Sequence, residues 1–348
     1  MAGDSSFDQD KNKLAEYETS SSGSYKSSRG CFNSKTGELM GRNFFSWIKL
    51  LSFFFIFCGV MSTLFGLCMG IFFQTLDYYI PKLKIEDSMI GSNPGLGYRP
   101  AGGLGFKTIN GDYKGLSIYS SLIWFRHGGD GNFDRLRENL DKFLEEYEPG
   151  FFANQGASLT KCDFESKPKL TDESCEFNKE WLSDQGADIK CISAEHYGYY
   201  YGKPCILIKL NRIYDWFPDP YDINEVRNHS TMPLSLKNDI EKIYEEKCDD
   251  DPNKYCPYLN MVWLHCDGED DPDKENLGLV SYTPFRGFPG YFFPYRNQRG
   301  YLSPVVMVQL KNPTPAVLMN LECTAWARNI RHNRLKREGL VHFELLMD

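Results

Sequence analysis

From Leu50 to Leu76 the chain reads LLSFFFIFCGVMSTLFGLCMGIFFQTL, 27 residues without a charge. A helix needs only about 20 such residues to cross the hydrocarbon core of a bilayer. Lys49 and Asp77 close the run, and no second run of this kind exists. A buried helix of a soluble protein rarely extends this far without a charge. A cleavable signal peptide has a shorter apolar core, close to the N-terminus, and ends in small residues. Here the core is too long, and Ile71-Phe72-Phe73-Gln74 is no such site. The run predicts one membrane pass at residues 47–76, a polar head at 1–46 and a long remainder at 77–348.

Orientation follows from the flanks. Arg29, Lys35, Arg42 and Lys49 precede the span, against Lys82 and Lys84 after it. The excess favours an internal N-terminus. Of the 11 cysteines, Cys31, Cys58 and Cys68 lie in the head or span. The other eight all follow it, an even set that suits an oxidised compartment. The acceptor sequon Asn228-His229-Ser230 lies on the same side, whereas Asn312-Pro313-Thr314 is blocked by its proline. These signs agree on a single-pass type II membrane protein with an extracellular C-terminal domain, glycosylated at Asn228.

Residues 1–30 are rich in Ser, Asp, Lys and Gly and cannot bury a core, so a disordered tail is expected. Residues 77–110, with many Gly and Pro, read as a connector or stalk ahead of an ectodomain at 111–348. In that domain Phe133, Leu136, Leu140, Phe143, Leu144 and Tyr147 recur at three- and four-residue steps, which predicts a helix. Asn132 is its candidate cap and Pro149-Gly150 its stop. Elsewhere short apolar runs at Ile206–Leu210, Pro304–Leu310, Ala316–Met319 and Leu340–Leu345 read as strands. Short strands with turn-rich spacers suggest an antiparallel sandwich.

Within the span, Gly59, Thr63, Gly66 and Gly70 are spaced four, three and four, and so share one face. Helices in lipid associate by close packing, so small residues on one face mark a contact with a partner helix. The opposite surface, with Phe53, Phe57, Leu64 and Phe72 among its residues, would then face lipid or fill other grooves.

Catalytic readings find little support. Asp249-Asp250-Asp251 and Asp271-Pro272-Asp273 match the metal-holding Asp-x-Asp of type II Golgi glycosyltransferases, yet both sit in acidic runs where such triplets arise by chance. Neither carries the glycine of an EF-hand loop. Cys-x-x-Cys is absent, so zinc is not expected. The glycines of Ser92-Asn93-Pro94-Gly95-Leu96-Gly97 lack the strand, helix and Gly-Lys-Ser/Thr of a nucleotide loop. No cofactor is implied. From Asp77 onward 41 acidic residues outnumber 32 basic ones, which disfavours nucleic acid. An adhesion glycoprotein fits the architecture as well.

Residues 197–212, Tyr-Gly-Tyr-Tyr-Tyr-Gly-Lys-Pro-Cys-Ile-Leu-Ile-Lys-Leu-Asn-Arg, closely resemble a signature of the β subunits of Na,K- and H,K-ATPases. Other blocks fall in the family's order: Glu38-Leu39-Met40-Gly41-Arg42 with Ser46-Trp47, Pro94-Gly95-Leu96, Phe292-Phe293-Pro294-Tyr295, Tyr301-Leu302-Ser303-Pro304 and Leu321-Glu322-Cys323-Thr324-Ala325. The likeness runs from about residue 38 to 348. Phe54 and Cys58 depart from it, standing where many members have tyrosines.

The resemblance implies a non-catalytic subunit of a P-type cation pump in the plasma membrane. Its partner would be the catalytic α subunit, which it would help to fold, assemble and reach the surface, and whose K⁺ handling it would modulate. The pump's own Asp-Lys-Thr-Gly motif is missing, since Ser34-Lys35-Thr36-Gly37 lacks the carboxylate. The implied fold is an immunoglobulin-like sandwich. The implied disulfides are Cys162–Cys175, Cys191–Cys205 and Cys266–Cys323, which leaves Cys248 and Cys256 as an additional pair. Phe292, Phe293, Pro294 and Tyr295 are read as an ectodomain contact with the partner, with a place in the core as the alternative.

Overall fold

A computed structural model of the chain describes residues 32–33, 38–39, 42–101, 106–107, 113–114, 120–129, 131–148, 150–152, 159–165, 173–183, 189–248 and 254–348. The N-terminal tail with Cys31, the Ser34–Gly37 tetrapeptide, Met40-Gly41, Pro149 and the Asp249–Asp251 triplet lie outside these residues. The chain divides into two units, residues 1–76 and 77–348.

The first unit is dominated by helix α1, Phe44–Gln74, 31 residues long. At 1.5 Å per residue it extends about 46 Å, more than the hydrocarbon thickness of about 30 Å. None of its residues is buried. Among the described residues it is the one helix long and apolar enough to cross a membrane. The helix stops at Thr75, whose hydroxyl donates to the Phe72 carbonyl at 2.7 Å.

The second unit is mainly β with helices inserted. Its strands are β1 (Leu96–Arg99), β2 (Leu122–Phe125), β3 (Cys205–Leu210), β4 (Met261–Gly268), β5 (Val280–Thr283), β6 (Gly287–Pro289), β7 (Val305–Leu310), β8 (Leu318–Trp326) and β9 (Leu340–Met347). A four-stranded sheet has the order β5-β7-β3-β1, and a five-stranded sheet the order β6-β4-β8-β9-β2. All pairings in them are antiparallel except β9 with β2. Every residue of β7 is buried, which suits its apolar sequence, and its one polar residue, Gln309, donates to the Ile189 carbonyl at 3.2 Å. In β8, Met319, Leu321, Cys323 and Ala325 are buried while Asn320, Glu322 and Thr324 are not. This alternation belongs to a strand with one face on the core and one turned outward. Ile206, Leu207 and Val306 of one sheet and Leu264, Leu321 and Phe343 of the other belong to a single hydrophobic cluster. Tyr98 of β1 stacks on Phe343 of β9 at 4.8 Å.

The periodic helix is present as α2, Asp134–Leu144, followed by a 3-10 turn through Tyr147. Leu136, Leu140 and Leu144 are at most 1% exposed. Asn132 does not cap it: Phe133 stands at the cap position, and the Asn132 carboxamide oxygen accepts from Arg126 N at 2.8 Å. The stretch expected as a stalk to residue 110 enters the folded body earlier, because β1 is a strand of the four-stranded sheet. Asn93 holds that entry, exchanging hydrogen bonds with the Arg331 backbone at 2.7 and 2.8 Å.

Between β3 and β4 lie two helices that the sequence reading did not name: α3, Ile223–Asn228, and α4, Leu234–Lys247. Asp222 and Glu225 form a capping box on α3. Leu236, Ile240 and Tyr244 of α4 form a second cluster with Met261, Trp263 and Trp326 of the five-stranded sheet. A short helix α5, Asp271–Leu277, follows β4.

Candidate partner-binding surfaces

On α1, Gly59, Thr63, Gly66 and Gly70 lie within about 60° of one another at 100° per residue. A Cβ built on any of the three glycines meets nothing within 4 Å. The Thr63 hydroxyl donates to the Gly59 carbonyl at 2.8 Å. The face therefore carries no unsatisfied side-chain donor, and a second backbone can approach it closely. Phe53 and Phe57, on another side, stack at 6.2 Å.

The aromatic block divides. Phe292 is 3% and Phe293 8% exposed, and Pro294 is buried with them. Phe292 packs on Tyr291 at 4.7 Å and Phe177 at 5.9 Å, and Phe293 on Trp216 at 5.5 Å. These three side chains are core, which corrects their reading as a contact surface: the cluster around Phe177 and Trp216 consumes their area. Tyr295 alone remains partly exposed. Its ring meets Tyr301 at 5.0 Å, Tyr214 at 6.4 Å and the Arg212 guanidinium at 5.4 Å. Arg296 Nε donates to Asp215 Oδ1 at 2.6 Å beside it. Tyr214, Asp215 and Arg296 were missed from the sequence. Their pairing spans some eighty residues, and no local spacing announces it.

The signature at 197–212 is an architectural knot. His196, Tyr197 and Gly198 all have positive φ, and Gly202 closes the turn at φ 67°. A Cβ at Gly198 would lie 2.0 Å from the Lys203 carbonyl oxygen, so only glycine fits. Tyr197 and Ser193 both donate to the Asp141 carboxylate, at 2.7 and 2.9 Å. The Tyr199 hydroxyl, wholly buried, donates to the Cys205 carbonyl at 3.1 Å. Burial first, and the hydrogen bond to Asp141 second, push the Tyr197 phenol far above its ordinary pKa.

Four disulfides join Cys162–Cys175, Cys191–Cys205, Cys248–Cys256 and Cys266–Cys323. Cys266 and Cys323 are direct register partners on β4 and β8, so this bond staples neighbouring strands of one sheet. Cys248 ends α4 and fastens it to Cys256 in the same satellite cluster. Cys58 and Cys68 are free on α1. Asn228, the last residue of α3, is exposed, as is Ser230 of its sequon.

The Asp271-Pro272-Asp273 triplet is not the solvated loop it resembles. It opens α5, with Asp271 exposed and 2.9 Å from Lys274 Nζ. Asp273 points inward at 8% exposure and accepts from the Asn320 backbone N at 3.1 Å. One carboxylate faces out and the other in, so the pair does not converge on a common point.

A model of the sodium/potassium ATPase beta chain family matches residues 18–343. The sodium/potassium-transporting ATPase subunit beta-2 of Drosophila melanogaster is 39% identical over 323 residues, covering 91% of this chain and 90% of the relative. Subunit beta-1 of the same fly is 35% identical over 319 residues, covering 91% of each. Subunit beta-2 of Mus musculus is 28% identical over 325 residues, covering 90% of this chain and 91% of its own. The match takes in α1 and nearly all of the β body, and on that extent the chain belongs to the sodium/potassium ATPase beta chain family.

Proposed function

We propose that this chain is the non-catalytic beta subunit of a P-type Na⁺/K⁺-transporting ATPase. In this reading it pairs with a catalytic alpha subunit, assists its folding and assembly, accompanies it to the plasma membrane and modulates K⁺ handling. It crosses the membrane once as a type II protein, with the N-terminus cytoplasmic and an immunoglobulin-like sandwich outside. Asn228 carries a glycan there, at an exposed helix end. The Gly59, Thr63, Gly66 and Gly70 face of α1 receives an alpha-subunit helix, and Tyr295 with its neighbours is the candidate ectodomain contact. The observation that carries the reading is the extent of the family match, which covers α1 and the disulfide-bonded body together. The test is affinity purification of the tagged full chain from native membranes, with co-expression alongside a catalytic chain. A large multi-span P-type subunit should co-purify, and surface pump activity should rise on co-expression. Failure of both would overturn the assignment.

A further inference from the structure

A cleft of about 670 Å³ is lined by residues of β1, β3 and α2 and of the turns beside them. Four cations face it, Arg99, Lys142, Lys209 and Arg212, against one carboxylate, Glu146. This is unusual in a body whose acidic residues outnumber its basic ones. Elsewhere several of its arginines are matched: Arg286 with Asp239, Arg296 with Asp215, Arg328 with Asp219, Asp222 and Glu225, and Arg334 with Glu322. Among the described residues, none of the four cleft cations forms a salt bridge with a carboxylate.

They are nonetheless held in place. Gly97 lies directly opposite Lys209 in the β1–β3 register, which puts Arg99 diagonally beside Lys209 on the same face. The Lys209 stem passes over Gly97, where a Cβ would come within 3.3 Å of Cε. The Phe143 ring receives both charges, with Lys209 Nζ at 5.5 Å and Arg99 Cζ at 5.7 Å from its centre. Arg212 Nε donates to Ser303 Oγ at 2.8 Å. These partners are neutral, so they orient the cations without cancelling their charge, which Glu146 offsets only in part. Burial first, then the charges of Arg99 and Arg212, draw the Lys209 ammonium below the ordinary lysine pKa.

We propose that this cleft binds a sulfated saccharide, recognised through its sulfate groups. Guanidinium and ammonium groups match sulfate oxygens in geometry and charge. The volume exceeds that of one oxyanion and lies in the usual range for small-ligand sites. Glu146 would repel a ligand that is anionic throughout, but it accepts a hydrogen bond from a sugar hydroxyl. Asn139 and Ser303 add neutral polar contacts at the wall. The cleft adjoins the candidate partner contact, since Arg212 lies 5.4 Å from the Tyr295 ring, so its binding is tested on the chain without a pump subunit.

The test uses the full chain in detergent micelles and isothermal titration calorimetry with three probes: a multiply sulfated uronate disaccharide, its unsulfated counterpart and inorganic sulfate. The sulfated disaccharide should bind saturably and less tightly as NaCl is added. Lys142→Gln with Lys209→Gln should weaken it by about tenfold or more, with cooperative unfolding retained. Should that double variant not fold, Lys142→Gln alone, at an exposed position, should still weaken binding several-fold. Three outcomes overturn the proposal: no saturable binding, binding unchanged in the variants, or inorganic sulfate or the unsulfated sugar binding as tightly as the sulfated disaccharide.

Discussion

In α1 none of 31 residues is buried, whereas every residue from Val305 to Leu310 is. Both stretches are strongly apolar, and the difference lies in what covers them. The body covers its own apolar surface with two sheets, a helical layer and four disulfides. Among the described residues of its unit nothing covers the apolar surface of α1, and in the reading proposed above lipid and a second helix supply that cover. Substitutions in the body should therefore be felt as unfolding, and substitutions on α1 as loss of association with the fold intact.

The sharpest way to break this contrast is Gly198→Ala. The added Cβ would collide with the Lys203 carbonyl at a positive φ, and both groups are backbone. The expected loss is about 4 kcal/mol or more. Chemical denaturation of the purified chain reads it, and a stability within about 1 kcal/mol of wild type would mean that the knot is not rigid.

Next come the disulfides. Cys266 and Cys323 close a separation of 57 residues, Cys248 and Cys256 one of 8. On the loop-entropy model the first bond contributes about 4 kcal/mol and the second about 2.5. Paired Cys→Ser variants should rank in that order by midpoint of unfolding. The reverse order would place the main stabilisation in the helical layer.

Leu236→Ala should cost about 3 kcal/mol, since the side chain is fully buried in the satellite cluster under α4. Hydrogen exchange distinguishes local from global effects: α3 and α4 should lose protection while β3 and β7 keep theirs. Equal loss everywhere would make the two clusters one cooperative unit.

The smallest effect on stability belongs to Gly66→Leu with Gly70→Leu. Each new side chain enters open space, so the unfolding of the body should be unchanged. Co-purification with a catalytic chain should fall, because the helix backbones are held apart. A destabilised body with intact co-purification would mean that α1 supports the fold and not association.

Several features were legible because they depend on neighbours along the chain. The uncharged run determines α1, and leucines at helical spacing determine α2. The strands Cys205–Leu210, Val305–Leu310 and Leu340–Met347 follow from short apolar runs. Helix α4 was legible too but was passed over: Leu236, Ile240 and Tyr244 recur every four residues. Half of its residues are charged, so the pattern is faint beside the apolar strands.

Other features were settled only in three dimensions. The block Phe292-Phe293-Pro294-Tyr295 is apolar on any reading, and only the packing of Phe177, Tyr291 and Trp216 around it makes three of the four residues core and leaves Tyr295 at the surface. Asp271 and Asp273 look equivalent in an acidic run, yet Asn320, far along the chain, draws one of them inside. The cleft of Arg99, Lys142, Lys209 and Arg212 brings together β1, α2 and β3, which no local spacing connects. Sequence alone was enough to place the long apolar helix and the most apolar strands, because length and periodicity act locally. Which side chains stay exposed, and which charges lack a counter-charge, was decided by tertiary structure, because burial and ion pairing depend on residues distant along the chain.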